Sequence, residues 1–133
     1  MALHGVDMPT QLETANARTL ALAMVETAEA LDNLDEILAV DGIDGVFMGP
    51  SDLSVSLSDG RSIDPFRADL DEPIRRIAER TAAAGKIPAA FAATPERARE
   101  FREIGYRVVA IANDQLYLAG GIAAMLEIVK ADG

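Results

Sequence analysis

Four short apolar runs, each followed by a more polar stretch, are what most constrain the fold of this chain. They are TLALAMV at 19–25, GVFM at 45–48, IPAAFA at 87–92 and RVVAI at 107–111. Continuous apolar runs of this length fit strands covered on both faces, as in parallel sheets. Pro88 weakens the third run as a strand, because proline donates no ladder hydrogen bond.

Three of the stretches between and after the runs read as helices. In TAEALDNLDEILAVDG, Leu31, Leu34 and Leu38 repeat at helical spacing, with Thr27 as N-cap and Gly42 beyond the end. Residues 66–84 carry Leu70, Ile74 and Ile77 on one face, stop at Gly85, and place Pro73 in the first helical turn. Thr94-Pro95-Glu96 is a cap followed by proline, and starts a helix that runs to about Ile104. Residues 51–65 are polar and serine-rich, and read as a long loop.

Asn113-Asp114 opens a terminal helix. Leu118, Ile122, Met125 and Val129 line one side of it, and Leu116, Leu126 and Ile128 carry the apolar surface further round. A helical tail is expected around residues 9–17, ahead of the first strand. The order is thus β-α-β-α-β-α-β-α, which predicts an α/β fold with a parallel sheet and right-handed crossovers. Four strands can form a small open sheet or half of an eight-stranded barrel. With no linker or shift in composition, the division is an irregular leader and helix tail at 1–14 and one α/β domain at 15–133.

Charge narrows the partners. Twenty-two acidic residues against 12 basic give a formal charge of −10, which argues against a nucleic-acid partner. The densest basic group, Arg75, Arg76 and Arg80, reads as a solvated helix face. The absence of cysteine excludes disulfides and thiolate metal sites. No apolar run reaches the roughly 20 residues a membrane span needs, and the N-terminus lacks a signal-peptide layout. A soluble, cytoplasmic protein without membrane partners is the expectation. His4, the only histidine, lies in the leader and reads as a surface residue.

In parallel α/β folds, ligands bind beyond the carboxyl ends of the strands. Those ends present Glu26, then Gly49-Pro50-Ser51-Asp52, then Ala92-Ala93-Thr94, then Asn113-Asp114. Two carboxylates on neighbouring strand ends suit a hard divalent cation, which takes oxygen ligands and completes its shell with water and substrate. Gly49 permits close approach of a ligand, and the N–H groups after Pro50 can receive an anion. Each residue also has a plainer reading. Asp52 can be a turn or capping residue, and Glu26 a first-turn helix acid. Asn113 and Asp114 read as helix-capping residues.

The segment AMVETAEALDNLDEILAVDGIDGVFMGPSDLSVSL resembles the second half of the HpcH/HpaI aldolase family. The resemblance rests on the V-E-T strand end, the D-N-L-D-E-I helix and G-V-F-M-G-P-S-D-L-S. It continues more loosely through AAGKIPAAFAATPERAREFREIGYRVVAIANDQLYL, from about Ala15 to Ala131. It implies the last four β/α units of a (β/α)8 TIM barrel. It also implies a class II pyruvate aldolase, a lyase that cleaves 4-hydroxy-2-oxo acids by retro-aldol reaction through a metal-stabilised pyruvate enolate. By the same resemblance, Glu26 and Asp52 are the metal ligands, for Mg, Mn or Co, and Gly49, Pro50 and Ser51 form the turn that receives the substrate carboxylate.

The family's catalytic histidine and substrate-binding arginine belong to the first half of the barrel. No equivalent motif occurs here, and His4 does not lie in the matching context, so the catalytic residues of this chain are not assigned. The chain is expected to supply the metal-binding half of a site that binds a 2-oxo acid such as pyruvate. Four strands of a barrel leave two open edges and an uncovered inner face. Completion by a second copy in a homo-oligomer or by a complementary N-terminal half-barrel, or a rearranged sheet, is therefore expected. The terminal helix is similar to one that the family exchanges between subunits; the plainer expectation is that it packs on its own sheet. The alternative to an enzyme is a non-catalytic truncated barrel, a scaffold or 2-oxo acid and metal-binding module. Related lyases acting on acyl-thioesters are a weaker alternative, since no basic patch awaits a coenzyme A phosphate.

Overall fold

A computed structural model describes residues 7–131; His4 and the first part of the leader lie outside them. The elements in chain order are α1 (Met8–Arg18), β1 (Leu22–Val25), α2 (Ala28–Asp32), α3 (Leu34–Leu38), β2 (Gly45–Met48) and α4 (Pro50–Leu57). They continue with α5 (Asp71–Ala83), β3 (Ile87–Ala92), α6 (Pro95–Ile104), β4 (Val108–Ile111) and α7 (Asp114–Ala131). A single 3-10 turn, Ala68–Leu70, leads into α5. No described helix is long and apolar enough to cross a membrane.

The four strands form one sheet in the order β1-β2-β3-β4, every pair parallel. Met24, Phe47, Ala89 and Val108 are aligned across it, so the alternate residues Val25, Val46, Met48, Ala90 and Ala92 point to the opposite face. That opposite face is buried under the helices, and joins Leu34, Leu70, Ile74, Ile77 and Phe101 in one core.

The face carrying Met24 has no helical cover among the described residues. Met24 is 54% exposed and Val108 41% exposed, while Phe47 and Phe91 are half-buried. The sheet is buried on one side along β1 to β3, with Ile111 of β4 38% exposed there, and its other side is apolar and partly open to solvent, with outer edges at β1 and β4.

Local chemistry explains most boundaries. Thr27 caps α2, its hydroxyl accepting from the Ala30 N–H at 3.0 Å; Thr94 caps α6 in the same way at Arg97. In α5 the buried positions Ile74, Ile77, Ala78 and Thr81 form one stripe. Gly105 ends α6 in the left-handed region at φ 118°, a conformation glycine adopts without a Cβ penalty. Tyr106 then packs on Phe101 with ring centroids 5.3 Å apart, and its hydroxyl donates to the Ile74 carbonyl at 2.8 Å.

Three expectations are corrected. The helix expected after the first strand is broken at Asn33, which ends α2 and begins α3. Asparagine favours such ends because its side chain competes for backbone hydrogen bonds. The three leucines still face the core.

The second correction concerns residues 51–65, which do not form one long loop: residues 50–57 form α4. Pro50 opens it at a position where a missing N–H costs nothing, and Leu53 and Ser54 are buried. Ser54 is satisfied close by. The Ser54 hydroxyl donates to the Ser51 carbonyl at 2.6 Å and accepts from the Asp64 N–H at 2.9 Å.

The terminal helix does not pack on its own sheet. None of the described side chains of α7 is buried; Met125 is 72% and Val129 74% exposed. Its first turn is anchored by Asn113, whose side-chain oxygen accepts from the Leu116 N–H at 2.9 Å.

Candidate functional site

Glu26 is the first residue beyond β1 and Gly49 the first beyond β2. The ladder continues one step past the strands, the Gly49 N–H donating to the Val25 carbonyl at 3.3 Å. By strand alternation Glu26 follows Met24, and Gly49 follows Phe47, onto the uncovered face. There Met24, Glu26, Phe47, Gly49, Pro50, Ser51, Asp52 and Phe91 line one concavity of about 260 Å3. All five residues expected to bind metal or substrate are therefore brought together at the carboxyl end of the sheet.

The floor of the concavity is apolar and its rim is acidic. Glu26 is half-buried and Asp52 exposed. Glu26 precedes the N-cap of α2, so it is not a first-turn helix acid. Asp52 sits in the first turn of α4, where a carboxylate is favoured by the helix dipole. Gly49 serves as the N-cap of α4 without a side-chain bond. The Ser51 and Asp52 N–H groups belong to the turn whose amides have no partner within the helix, an arrangement that suits an anion. The expected turn after Pro50 is thus a helix N-terminus.

The donor set fits a hard cation. Both charged groups are carboxylates, and a Cβ on Gly49 would stand 2.5 Å from Glu26 Oε2, so the missing side chain leaves the space the Glu26 carboxylate fills. Among the described residues, no cluster of three or more His, Cys, Asp or Glu side chains could hold a metal. A cation held here would take two protein oxygens and leave its other positions to water and ligand.

The apolar lining by Met24, Phe47 and Phe91 was not singled out from the sequence. The period-2 alternation of strand side chains was the signal that marks it. Ser56 was also passed over. One turn beyond Asp52 on α4, its hydroxyl accepts from the Ala28 N–H at 2.9 Å. Asn113 and Asp114 sit at the start of α7 and do not line the concavity. A larger groove of about 370 Å3 lies between α3 and α5, spanned by the Arg80–Asp35 ion pair. It lies away from the strand ends, and its exposed ion pair is a surface contact of small worth.

Comparison with known proteins shows the family. The family model described as HpcH/HpaI aldolase/citrate lyase matches residues 5–120. A hydroxypyruvate/pyruvate aldolase from Roseovarius nubinhibens is 40% identical over 118 residues, which cover 89% of this chain and 45% of that protein. The chain spans about half the length of the curated relatives it matches. A crystal structure of an HpcH/HpaI aldolase/citrate lyase family protein from Burkholderia cenocepacia superposes with a TM-score of 0.82 and 31% identity, over 96% of this chain and 53% of that one. The Mycobacterium tuberculosis protein CitE, solved in complex with magnesium and pyruvate, matches with a TM-score of 0.59 and 26% identity, over 73% of this chain and 45% of that one.

Proposed function

The chain belongs to the HpcH/HpaI aldolase/citrate lyase family, and on that premise we propose that it supplies the carboxylate half of a metal-dependent pyruvate-aldolase site. The observation that carries the reading is the convergence of Glu26 and Asp52 on one concavity at the strand ends, with Gly49 leaving room for the Glu26 carboxylate. The reaction class is retro-aldol cleavage of a 4-hydroxy-2-oxo acid to pyruvate and an aldehyde.

Each residue has a part in this reading. Glu26 and Asp52 hold a divalent cation, magnesium, manganese or cobalt. When bound, the ion supplies Lewis acidity toward the 2-oxo acid. The Ser51 side chain and the first-turn amides of α4 receive the substrate carboxylate, with Gly49 and Pro50 shaping the approach. Met24, Phe47 and Phe91 give the bound acid an apolar floor that excludes water from one side. The proton-transferring base and the cationic group opposite come from a complementary half, either an N-terminal half-barrel or a second copy.

A second reading is a non-catalytic module that binds metal and 2-oxo acid. It is favoured by the pairing of just two acidic side chains at the concavity, with no His, Arg or Lys lining it among the described residues. Assay of retro-aldol cleavage with Mn2+ separates the two. The aldolase reading expects pyruvate release when the chain is combined with a first-half barrel bearing the histidine and arginine, and loss of that release in Glu26→Gln. Binding of pyruvate and Mn2+ with no turnover in any combination supports the module and overturns the aldolase.

A further inference from the structure

Glu26 and Asp52 reach the concavity from different elements, one from the turn between β1 and α2, the other from the first turn of α4. Their relative placement depends on what ties that turn to α4. The Gly49 N–H bond to the Val25 carbonyl fixes the strand ladder on one side of Glu26. On the other side, two residues beyond Glu26, the Ala28 N–H donates to Ser56 Oγ across 28 positions of sequence. Ala28 is the first residue of α2, so its N–H is one of the amides that the helix itself leaves without an acceptor. Ser56 lies four residues after Asp52, and residues so spaced share one helix face. Ser54 and Ser58, by contrast, bond within α4 and the loop that follows it.

We infer that Ser56 is a positioning residue: by accepting the Ala28 amide it holds the Glu26 turn against the face of α4 that carries Asp52, and keeps the two carboxylates in register. The inference rests on the function proposed above, in which those carboxylates share a cation. Partners that orient a ligand rather than touch the metal commonly matter about 10- to 100-fold in affinity. The first turn of α2 keeps a separate cap in Thr27, so loss of the Ser56 bond removes the tie without removing the helix.

The test uses the full chain with Ser56→Ala and Ser56→Thr. Mn2+ affinity is measured by calorimetry, and amide exchange and resonance positions by NMR without metal. Ser56→Ala is expected to free the Ala28 amide for exchange, to shift the Glu26 resonances, and to weaken Mn2+ binding about tenfold, while Ser56→Thr, which keeps the hydroxyl, restores all three. Wild-type Mn2+ affinity in Ser56→Ala, whatever its melting temperature, overturns the inference and leaves Ser56 a structural cap. Absence of Mn2+ binding by the unsubstituted chain overturns the proposed function instead. The positioning role is then read from the metal-free arm, where movement of Glu26 in Ser56→Ala supports it and an unmoved Glu26 overturns it.

Discussion

Gly49 and Glu26 compete for one volume: a Cβ on Gly49 would lie 2.5 Å from Glu26 Oε2 and 3.1 Å from the Glu26 Cβ. The Gly49 backbone, at φ −103° and ψ 96°, is open to any residue, so this glycine is required by its neighbour's carboxylate and not by its own torsion angles. Gly49→Ala is expected to fold with a stability change of less than about 1 kcal/mol, while the carboxylate swings away and Mn2+ affinity falls by about tenfold or more. Calorimetric titration beside a thermal melt checks this; an unchanged affinity contradicts it.

Removing charge without volume isolates the carboxylates themselves. Glu26→Gln and Asp52→Asn should each bring Mn2+ binding below detection, because a lone carboxylate retains a hard divalent ion poorly. Both side chains are at least partly open to solvent, so neither substitution should alter the circular dichroism spectrum. Binding that survives both changes would place the cation elsewhere.

Tyr106 gives a pH dependence of known sign. Burial raises its phenol above the ordinary value of 10.0. Between the two values the unfolded chain releases a proton that the folded chain keeps, so stability present below pH 10 is lost as the pH rises beyond it. The slope attributable to one group is at most about 1.4 kcal/mol per pH unit. Melting temperature measured from pH 8 upward should fall more steeply for the parent than for Tyr106→Phe. The variant loses this slope along with the hydrogen bond to Ile74, worth about 1 kcal/mol at neutral pH. Parallel curves would contradict the assignment.

The apolar surface of α7 should drive association. Leu118, Ile122, Met125 and Val129 are all more than half exposed on one side of a helix that the other described residues do not cover, an arrangement that marks an interaction surface. Sedimentation velocity is expected to show species larger than the monomer for the parent, and a shift toward monomer for the double variant Leu118→Glu, Met125→Glu. Identical distributions would show that α7 is not the contact.

Much of this architecture is readable from spacing alone. The four apolar runs mark the four strands to within three residues at each end, although their continuity implied cover on both faces and the face carrying Met24 is partly open. Thr27, Thr94 and Gly85 mark helix ends through chemistry that acts over three or four residues. Residues 50–57 escaped for the opposite reason. Three serines in eight positions have the composition of a loop, and only tertiary burial of Leu53 and Ser54 makes them a helix.

The same contrast holds at the site. Glu26 and Asp52 could be located by counting from strand ends, and the family resemblance gave them a role. The concavity wall could have been found by alternation. The Ser56 bond could not have been found before α4 was known to be helical, since only then does Ser56 share a face with Asp52.

The placement of Glu26 just beyond β1 has a consequence for any strand that pairs with this sheet. β1 is an outermost strand, so the carboxylate stands at the margin of the sheet, where the backbone still offers free hydrogen-bonding groups. A strand that zips onto that margin would run alongside Glu26 and deliver its own end residues to the mouth of the concavity. The seam and the pocket are one surface, and anything that seals the first necessarily furnishes the second.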